Sequence, residues 1–252
     1  MINFSNISSS SLSGYLLRKC LSIIPKGSVV RILQGPIMGM RWIAGSQTHG
    51  MWLGSYEINK QLAIRRCLKH GQVFYDIGAN VGFYSLLAAK YIGGKGSVVA
   101  FEPLTRNIEY LSNHIILNKL TNVKIIQKAL SDCSGKEYFT YTGDPSACHI
   151  SEKGNIEVIV TTIDELIKTN SIPPPNIMKV DIEGAEINFL KGAIETLIKY
   201  RPMIFMALHS PQLFELLFET IDIYKLPYLI KNFNGNLVSK CDYLDEIILE
   251  PI

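Results

Sequence analysis

The sequence predicts an α/β protein in which helices cover both faces of a mostly parallel sheet. Three observations carry this. From Val73 onward, short apolar strands alternate with helical stretches, and repeated β-then-α units require parallel strands joined by right-handed crossovers. Several strands are continuous apolar runs, the pattern of strands buried on both faces. The first of them runs directly into a glycine-rich turn that opens a helix.

Before that point the texture differs. Residues 29–55 read as short strands broken by Gly35-Pro36, Gly39, Gly45 and Gly50, an aromatic and glycine-rich stretch suited to a hairpin or lid. A short amphipathic helix is expected at 12–24, with Arg18 and Lys19 on it. The helix at 58–69 offers Ile58, Leu62, Ile64, Cys67 and Leu68 to a buried face. The alternating series then runs strand 73–77, helix 81–91, strand 97–101, helix 106–118 and strand 123–127. After a polar insertion at 134–155 it resumes with strand 177–182, helix 185–199, strand 203–208, helix 212–224, and strands 228–231 and 246–249. Pro173-Pro174-Pro175 is a rigid spacer ahead of strand 177–182. Residues 1–70 therefore form a helix and hairpin or lid segment packed on the core, and 71–252 the α/β domain.

Composition sets limits. The 252 residues are 47% hydrophobic and 19% charged, which argues for one well-buried core and against disorder. The net charge is +3 with both signs interspersed, so no basic stripe for nucleic acid is present in the sequence. Cys20, Cys67, Cys133, Cys148 and Cys241 are scattered without CxxC spacing. They read as free thiols in a reducing, cytoplasmic setting rather than as a disulfide frame or zinc site. No apolar run approaches the ~20 residues needed to span a bilayer.

In open α/β sheets ligands bind outside the carboxyl ends of the strands, so chemistry is sought there. Strand 73–77 ends in Asp76-Ile77-Gly78-Ala79-Asn80-Val81-Gly82. Gly78 permits a tight turn, and Gly82 lets the helix start lie close to the sheet or a ligand. The pattern D-x-G-x-N-x-G differs from the dinucleotide fingerprint in its glycine spacing and in its leading acid. An acid there would repel a pyrophosphate but could order the hydrogen bonds around the polar end of a cationic cofactor. Strand 97–101 ends at Glu102-Pro103, and an acid at this spacing suits a pair of ribose hydroxyls. Together the two features point to an adenosine-type ligand.

These residues, with Asn107 and the run Lys179-Val180-Asp181-Ile182-Glu183-Gly184-Ala185-Glu186, resemble the FkbM-type methyltransferase family. The resemblance covers roughly residues 35–211 and includes Trp52-Leu53-Gly54-Ser55-Tyr56-Glu57. It implies a Rossmann-like class I methyltransferase fold, with a seven-stranded sheet whose last strand is antiparallel. It implies S-adenosylmethionine as cofactor and O-methylation of a sugar, glycan or natural-product hydroxyl. Asp76, Gly78, Ala79, Asn80 and Gly82 would then surround the methionine and ribose, and Glu102 would hold the ribose. Pro103 and Asn107 would shape the adenosine site, and Leu130 and Ser131 would flank the adenine. Members of the family often carry an acid at the position of Ala207, which this sequence lacks.

An alcohol is a poor nucleophile near neutral pH, so a base is sought near the methyl group. Asp181 and His209 end neighbouring strands. His209 is the candidate base, because its ordinary pKa lies near neutrality, with Asp181 orienting it. Lys179 lies two residues from Asp181, on the same side of the strand, and offers it an alternative partner. Glu183 and Glu186 suit the start of the following helix. Asp181 with His209 could also ligate a divalent ion, but two residues from different strands make no metal signature, and none is assigned. His49, Trp52 and Tyr56 could form an aromatic lid. The expected partner is a small-molecule or glycan acceptor, with neither nucleic acid nor stable membrane insertion. A nicotinamide-dependent oxidoreductase has the wrong glycine spacing and lacks an evident hydride-handling pair. A non-catalytic scaffold is disfavoured by the intact acids and glycines.

Overall fold

The computed structural model describes residues 19, 21, 23–140, 149–150 and 156–252. Most of the helix expected at 12–24 lies outside these residues, as do Cys20 and Cys148. The other three cysteines are free.

The described chain begins with a hairpin, β1 (Val29–Arg31) paired antiparallel with β2 (Arg41–Ile43), followed by helices α1 (His49–Leu53) and α2 (Ile58–Cys67). The α/β series follows as β3 (Val73–Ile77), α3 (Phe83–Ile92), β4 (Ser97–Phe101), α4 (Thr105–Leu117) and β5 (Val123–Ile126). A smaller unit comprises β6 (Ala129–Leu130), β7 (Gly135–Thr140), β8 (His149–Ile150), β9 (Ile156–Thr161) and α5 (Ile163–Lys168). The series resumes as β10 (Ile177–Val180), α6 (Glu186–Lys191), α7 (Ile194–Tyr200), β11 (Met203–Ala207), α8 (Pro211–Tyr224), β12 (Tyr228–Lys231) and β13 (Glu246–Pro251).

Seven strands form the main sheet in the order β12-β13-β11-β10-β3-β4-β5. β3, β4, β5, β10 and β11 are parallel, and β13 is antiparallel to both of its neighbours. The expected seven-stranded α/β sheet with its antiparallel last strand is thus present. The order reverses at β3 and β10, which places the crevice at their carboxyl ends. Strands at the centre are buried in all but, at most, their first residue because both faces are covered, which accounts for their apolar runs.

Two expectations change. The insertion at 134–155 contributes strands to a second sheet, ordered β6-β9-β7-β8. Residues 141–148 and 151–155 are outside the described part. The single helix expected at 185–199 is two, α6 and α7, separated at Gly192-Ala193. At Gly192 a Cβ would lie 2.0 Å from the Ser131 carbonyl oxygen, so the chain passes too close to that loop for a larger residue. α8 starts where its sequence says: Ser210 Oγ accepts the Leu213 amide N–H, and Pro211 occupies the first turn.

The N-terminal segment shares a core with the sheet: Ile32, Trp42, Trp52 and Ile64 belong to one buried cluster with Phe74, Leu86 and Phe205. Trp42 is fully buried and stacks on His114 of α4, ring centroids 3.8 Å apart. His114 Nε2 accepts the Ile43 amide N–H at 3.0 Å, and its Nδ1–H donates to the Val81 carbonyl at 2.8 Å. Burial, opposed by the bond to Val81, lowers its pKa to about 4, so the ring is neutral and can do both. Trp42→Ala should reduce the unfolding free energy by about 3–5 kcal/mol, measured by urea denaturation. A loss below about 1 kcal/mol would mean that the hairpin is not integral to the core.

Candidate functional site

At the carboxyl ends of β3, β4 and β10 lies a cleft of about 960 Å³, counting its open mouth. Its floor is the turn after β3. Gly78 has φ +71°, and a Cβ there would sit 1.9 Å from the Asp181 carbonyl oxygen, so only glycine fits between the two strand ends. The Gly78 and Ala79 amides both donate to the Phe101 carbonyl, at 3.1 and 2.9 Å, which ties the turn to the end of β4. Asn80 follows with φ +49°. Of the residues singled out in the sequence, Gly78, Ala79, Asn80, Glu102, Pro103, Asn107, Leu130 and Asp181 all line this cleft.

Glu102 is nearly buried, at 4% exposure. One carboxylate oxygen accepts the Asn80 amide at 2.8 Å. The other accepts the Leu104 amide at 3.0 Å and the Asn107 side-chain amide at 3.2 Å. The acid therefore first braces the glycine turn and the start of α4. Burial raises its pKa, against the pull of these donors.

Four of the named residues are not part of the cleft wall. Gly82 caps α3 behind it, with φ +94°, where a Cβ would lie 2.3 Å from Leu111 of α4. Ser131 is buried beside Asp132 and Glu137, to which its hydroxyl is bonded. Asp76 is wholly buried beneath the turn instead of reaching into the cleft. Its carboxylate accepts the Ser85 hydroxyl at 2.6 Å and lies 3.5 Å from Lys179 Nζ. Asp76 and Lys179 face each other across the β3–β10 pairing, and Lys179 also donates to the Ile77 and Gly78 carbonyls. The pairing of Lys179 with Asp181 is therefore not formed. His209, the fourth, stands at the cleft's edge and reaches it through Asp181.

That edge is a compact charge network. His209 Nε2 is 3.2 Å from Asp181 Oδ1 and 3.5 Å from Glu186 Oε1, and its Nδ1 is 3.6 Å from Glu183 Oε2. On the other side of Asp181, Lys60 Nζ lies 3.6 Å from Oδ2. Lys60 is 2% exposed, and it also pairs with Glu57 at 2.8 Å and with Glu246. Tyr84 closes the group, its hydroxyl donating to Glu57 at 2.7 Å. Glu186 accepts the amides of Ile182 and Gly184, so it holds the turn before α6 in place.

The charges respond as their surroundings dictate. The hydrogen bond to Asp181 raises the His209 pKa to about 9; burial opposes this and the Glu183 and Glu186 carboxylates reinforce it. Since the folded form binds this proton more tightly, the pair's stabilisation is complete below pH 6.5 and fades as pH rises through about 9. Burial would push Asp181 up, but Lys179, the His209 bond and Lys60 outweigh it and hold the carboxyl well below its usual range. Asp181, Glu183 and His209 bring ligand-type atoms within 4.8 Å of one another. Lys60 also supplies positive charge at Asp181.

Lys60, Glu57 and Glu246 escape a reading of the sequence. The helical spacing at 58–69 points to Leu62 as buried, yet Leu62 is exposed, and Lys60 and Gln61 face inward. The one available signal is the i,i+3 spacing of Glu57 and Lys60, which on a helix surface is ordinarily unremarkable. Of the aromatics expected as a lid, Tyr56 lines the cleft, whereas Trp52 is core and donates to His49 at 3.2 Å.

Known proteins bear on this geometry. A hexuronic acid methyltransferase, AglP, from Haloferax volcanii is 28% identical over 145 residues, which are 55% of this chain and 58% of that protein. A solved FkbM methyltransferase from Methylobacillus flagellatus matches at a TM-score of 0.50 with 21% identity, covering 71% of this chain and 43% of that one. The second likeness is one of fold. This chain spans less than two thirds of either relative. The model of the methyltransferase FkbM domain matches residues 76–243, from the glycine turn through the strand ends that carry Asp181 and His209. The chain belongs to the FkbM methyltransferase family.

Proposed function

We propose that this protein is an S-adenosylmethionine-dependent O-methyltransferase acting on a hydroxyl of a sugar, glycan or natural product. The observation that carries this is a single cleft joining a nucleoside-type site to a His–carboxylate pair. At one end stand Asn80, Glu102, Asn107 and Leu130, and at the other Asp181 with His209.

The residues fit the cofactor. Asn80 Oδ1 is buried without a partner on the cleft wall, which leaves an acceptor for a ligand donor. Glu102 keeps lone pairs beyond its three present bonds, since a carboxylate offers about four acceptor positions. Leu130 and Phe139 supply apolar surface for a flat base. The carboxylates around Asp181 suit a cationic centre. Bound there, S-adenosylmethionine supplies an electrophilic methyl group.

The chain's own residues supply the rest. Met51 and Tyr56, from the segment up to residue 70, line the cleft together with residues of the 71–252 domain. With Nε2–H given to Asp181, His209 takes the proton of the acceptor hydroxyl on Nδ1 as the oxygen attacks. Asp181 holds the ring in place and balances the charge gained. The buried phenols of Tyr56 and Tyr84 have pKa values well above the ordinary range, from burial first and Glu57 next, so they stay neutral. A sugar-type acceptor is supported by the name of the Haloferax relative. Three free cysteines accord with a cytoplasmic setting, and among the described residues no helix is long and apolar enough to cross a membrane. Nucleic acid is not among the proposed partners.

Calorimetric titration should show micromolar S-adenosylmethionine binding, weakened about tenfold or more by Glu102→Ala, and no comparable NAD binding. No binding of S-adenosylmethionine would remove this reading. With a labelled methyl group and a panel of glycosides and hydroxylated metabolites, His209→Ala should lower kcat by about 10²–10⁴, with cofactor affinity retained. Near-normal turnover at saturating substrate would exclude His209 as the base. In the wild type, kcat/KM should climb as pH rises toward about 9, where His209 loses its proton. Chelator should leave the rate unchanged; loss of activity restored by magnesium would instead assign a divalent ion to the site.

A further inference from the structure

We propose that Lys60 is a positioning residue for the Asp181–His209 pair, joining the N-terminal segment to the reacting end of the cleft and governing the His209 proton through Asp181. This rests on the assignment of His209 as the base.

The geometry is specific. Lys60 is a lysine at 2% exposure, which is rare unless the charge is paired. Its ammonium meets carboxylates from three separate places: Glu57 ahead of α2, Asp181 after β10 and Glu246 at the start of β13. It also lies 5.7 Å from the centre of the Tyr84 ring. Asp181 is shared, with Oδ1 toward His209 and Oδ2 toward Lys60. Charge drawn to one side of a carboxylate is less available to the other. Lys60 therefore limits how strongly Asp181 holds the imidazolium, while Glu57 and Glu246 limit Lys60. β13 supplies Glu246 directly opposite Ala207, so the position without an acid on β11 has a carboxylate beside it on the next strand.

The other charged groups around His209 are accounted for. Glu183 and Glu186 touch it from the turn and α6. Lys179 acts on Asp181 from β10. Asp245 and Tyr243 lie on the segment bonded to Leu208. Among these groups Lys60 is the buried cation that enters from outside the sheet and its crossovers.

The test uses the full chain labelled with ¹³C-histidine, in which the His209 titration midpoint is read by NMR and assigned with His209→Gln. Lys60→Met should raise that midpoint by about one pH unit, and Lys60→Arg should restore it. Glu246→Gln should move it the opposite way, because Lys60 is then freed toward Asp181. In an Asp181→Asn background the effect of Lys60→Met should shrink to less than half. The rising limb of kcat/KM against pH should follow the same shifts. A plain packing role would lower the melting temperature without moving the midpoint. If Lys60→Met does not fold, Glu246→Gln decides the matter. A midpoint unmoved in Glu246→Gln would overturn the proposal, as would one unmoved in Lys60→Met or a Lys60→Met shift undiminished in Asp181→Asn. The NMR arm needs no turnover, so absence of methyl transfer would count against the proposed activity alone.

Discussion

Everything at the site depends on how closely two parallel strand ends approach. β3 and β10 pair in register and stop at the same level, and the chain leaving β3 must turn within contact of the Asp181 carbonyl. Gly78 answers that constraint because any Cβ would overlap the oxygen. The turn it makes sends Asn80 to Glu102 and opens α3 behind the cleft floor. The same proximity brings Asp181 out at the mouth of the cleft, between the cofactor end and the His209 end. A wider separation of the two strands would free the glycine but would also part the two halves of the site.

Charges near the two strand ends are paired across separate elements. Beneath the floor, Asp76 and Lys179 neutralise each other and fasten the turn from below. Above it, Lys60 gathers Glu57, Asp181 and Glu246. Lys179 and Lys60 thus stabilise acids that would otherwise be costly to desolvate. The arrangement leaves Asp181 ionised and His209 as the titrating member near neutral to alkaline pH.

The sheet is legible in the sequence because its signals are local. Strands 73–77, 97–101 and 228–231 match to the residue, since each is an apolar run bounded by turn residues. The glycine turn and Glu102 are similarly legible, because they belong to adjoining β–α units and meet at one end of the cleft. The reacting end is less so. Asp181 and His209 terminate strands and can be found by position, but Lys60 and Glu246 are ordinary charges in polar surroundings until folding brings them together. Asp76 shows the converse error: an acid at a strand end looks available, but Lys179 opposite it draws it inward. The second sheet is hidden because β9 alternates exposed and buried residues over only six positions, and β6 and β8 have two residues each.

β13 lies between β11 and β12 yet follows both in the chain. Until it inserts, each of those strands has an open edge, and the loop that must close to seat it spans α8 and β12. Closure of that kind carries an entropic cost before the ladder contacts compensate for it, and pairings of high sequence separation form slowly. The half of the sheet that cradles the nucleoside-type site, β3 to β5, is built from neighbouring segments and has no such wait. Glu246, the carboxylate from β13 that reaches Lys60, comes to the site only with that ladder. The topology thus draws the two ends of the cleft from different ranges of the chain: the glycine turn and Glu102 from adjoining units, and the charges around Lys60 from segments far apart in sequence.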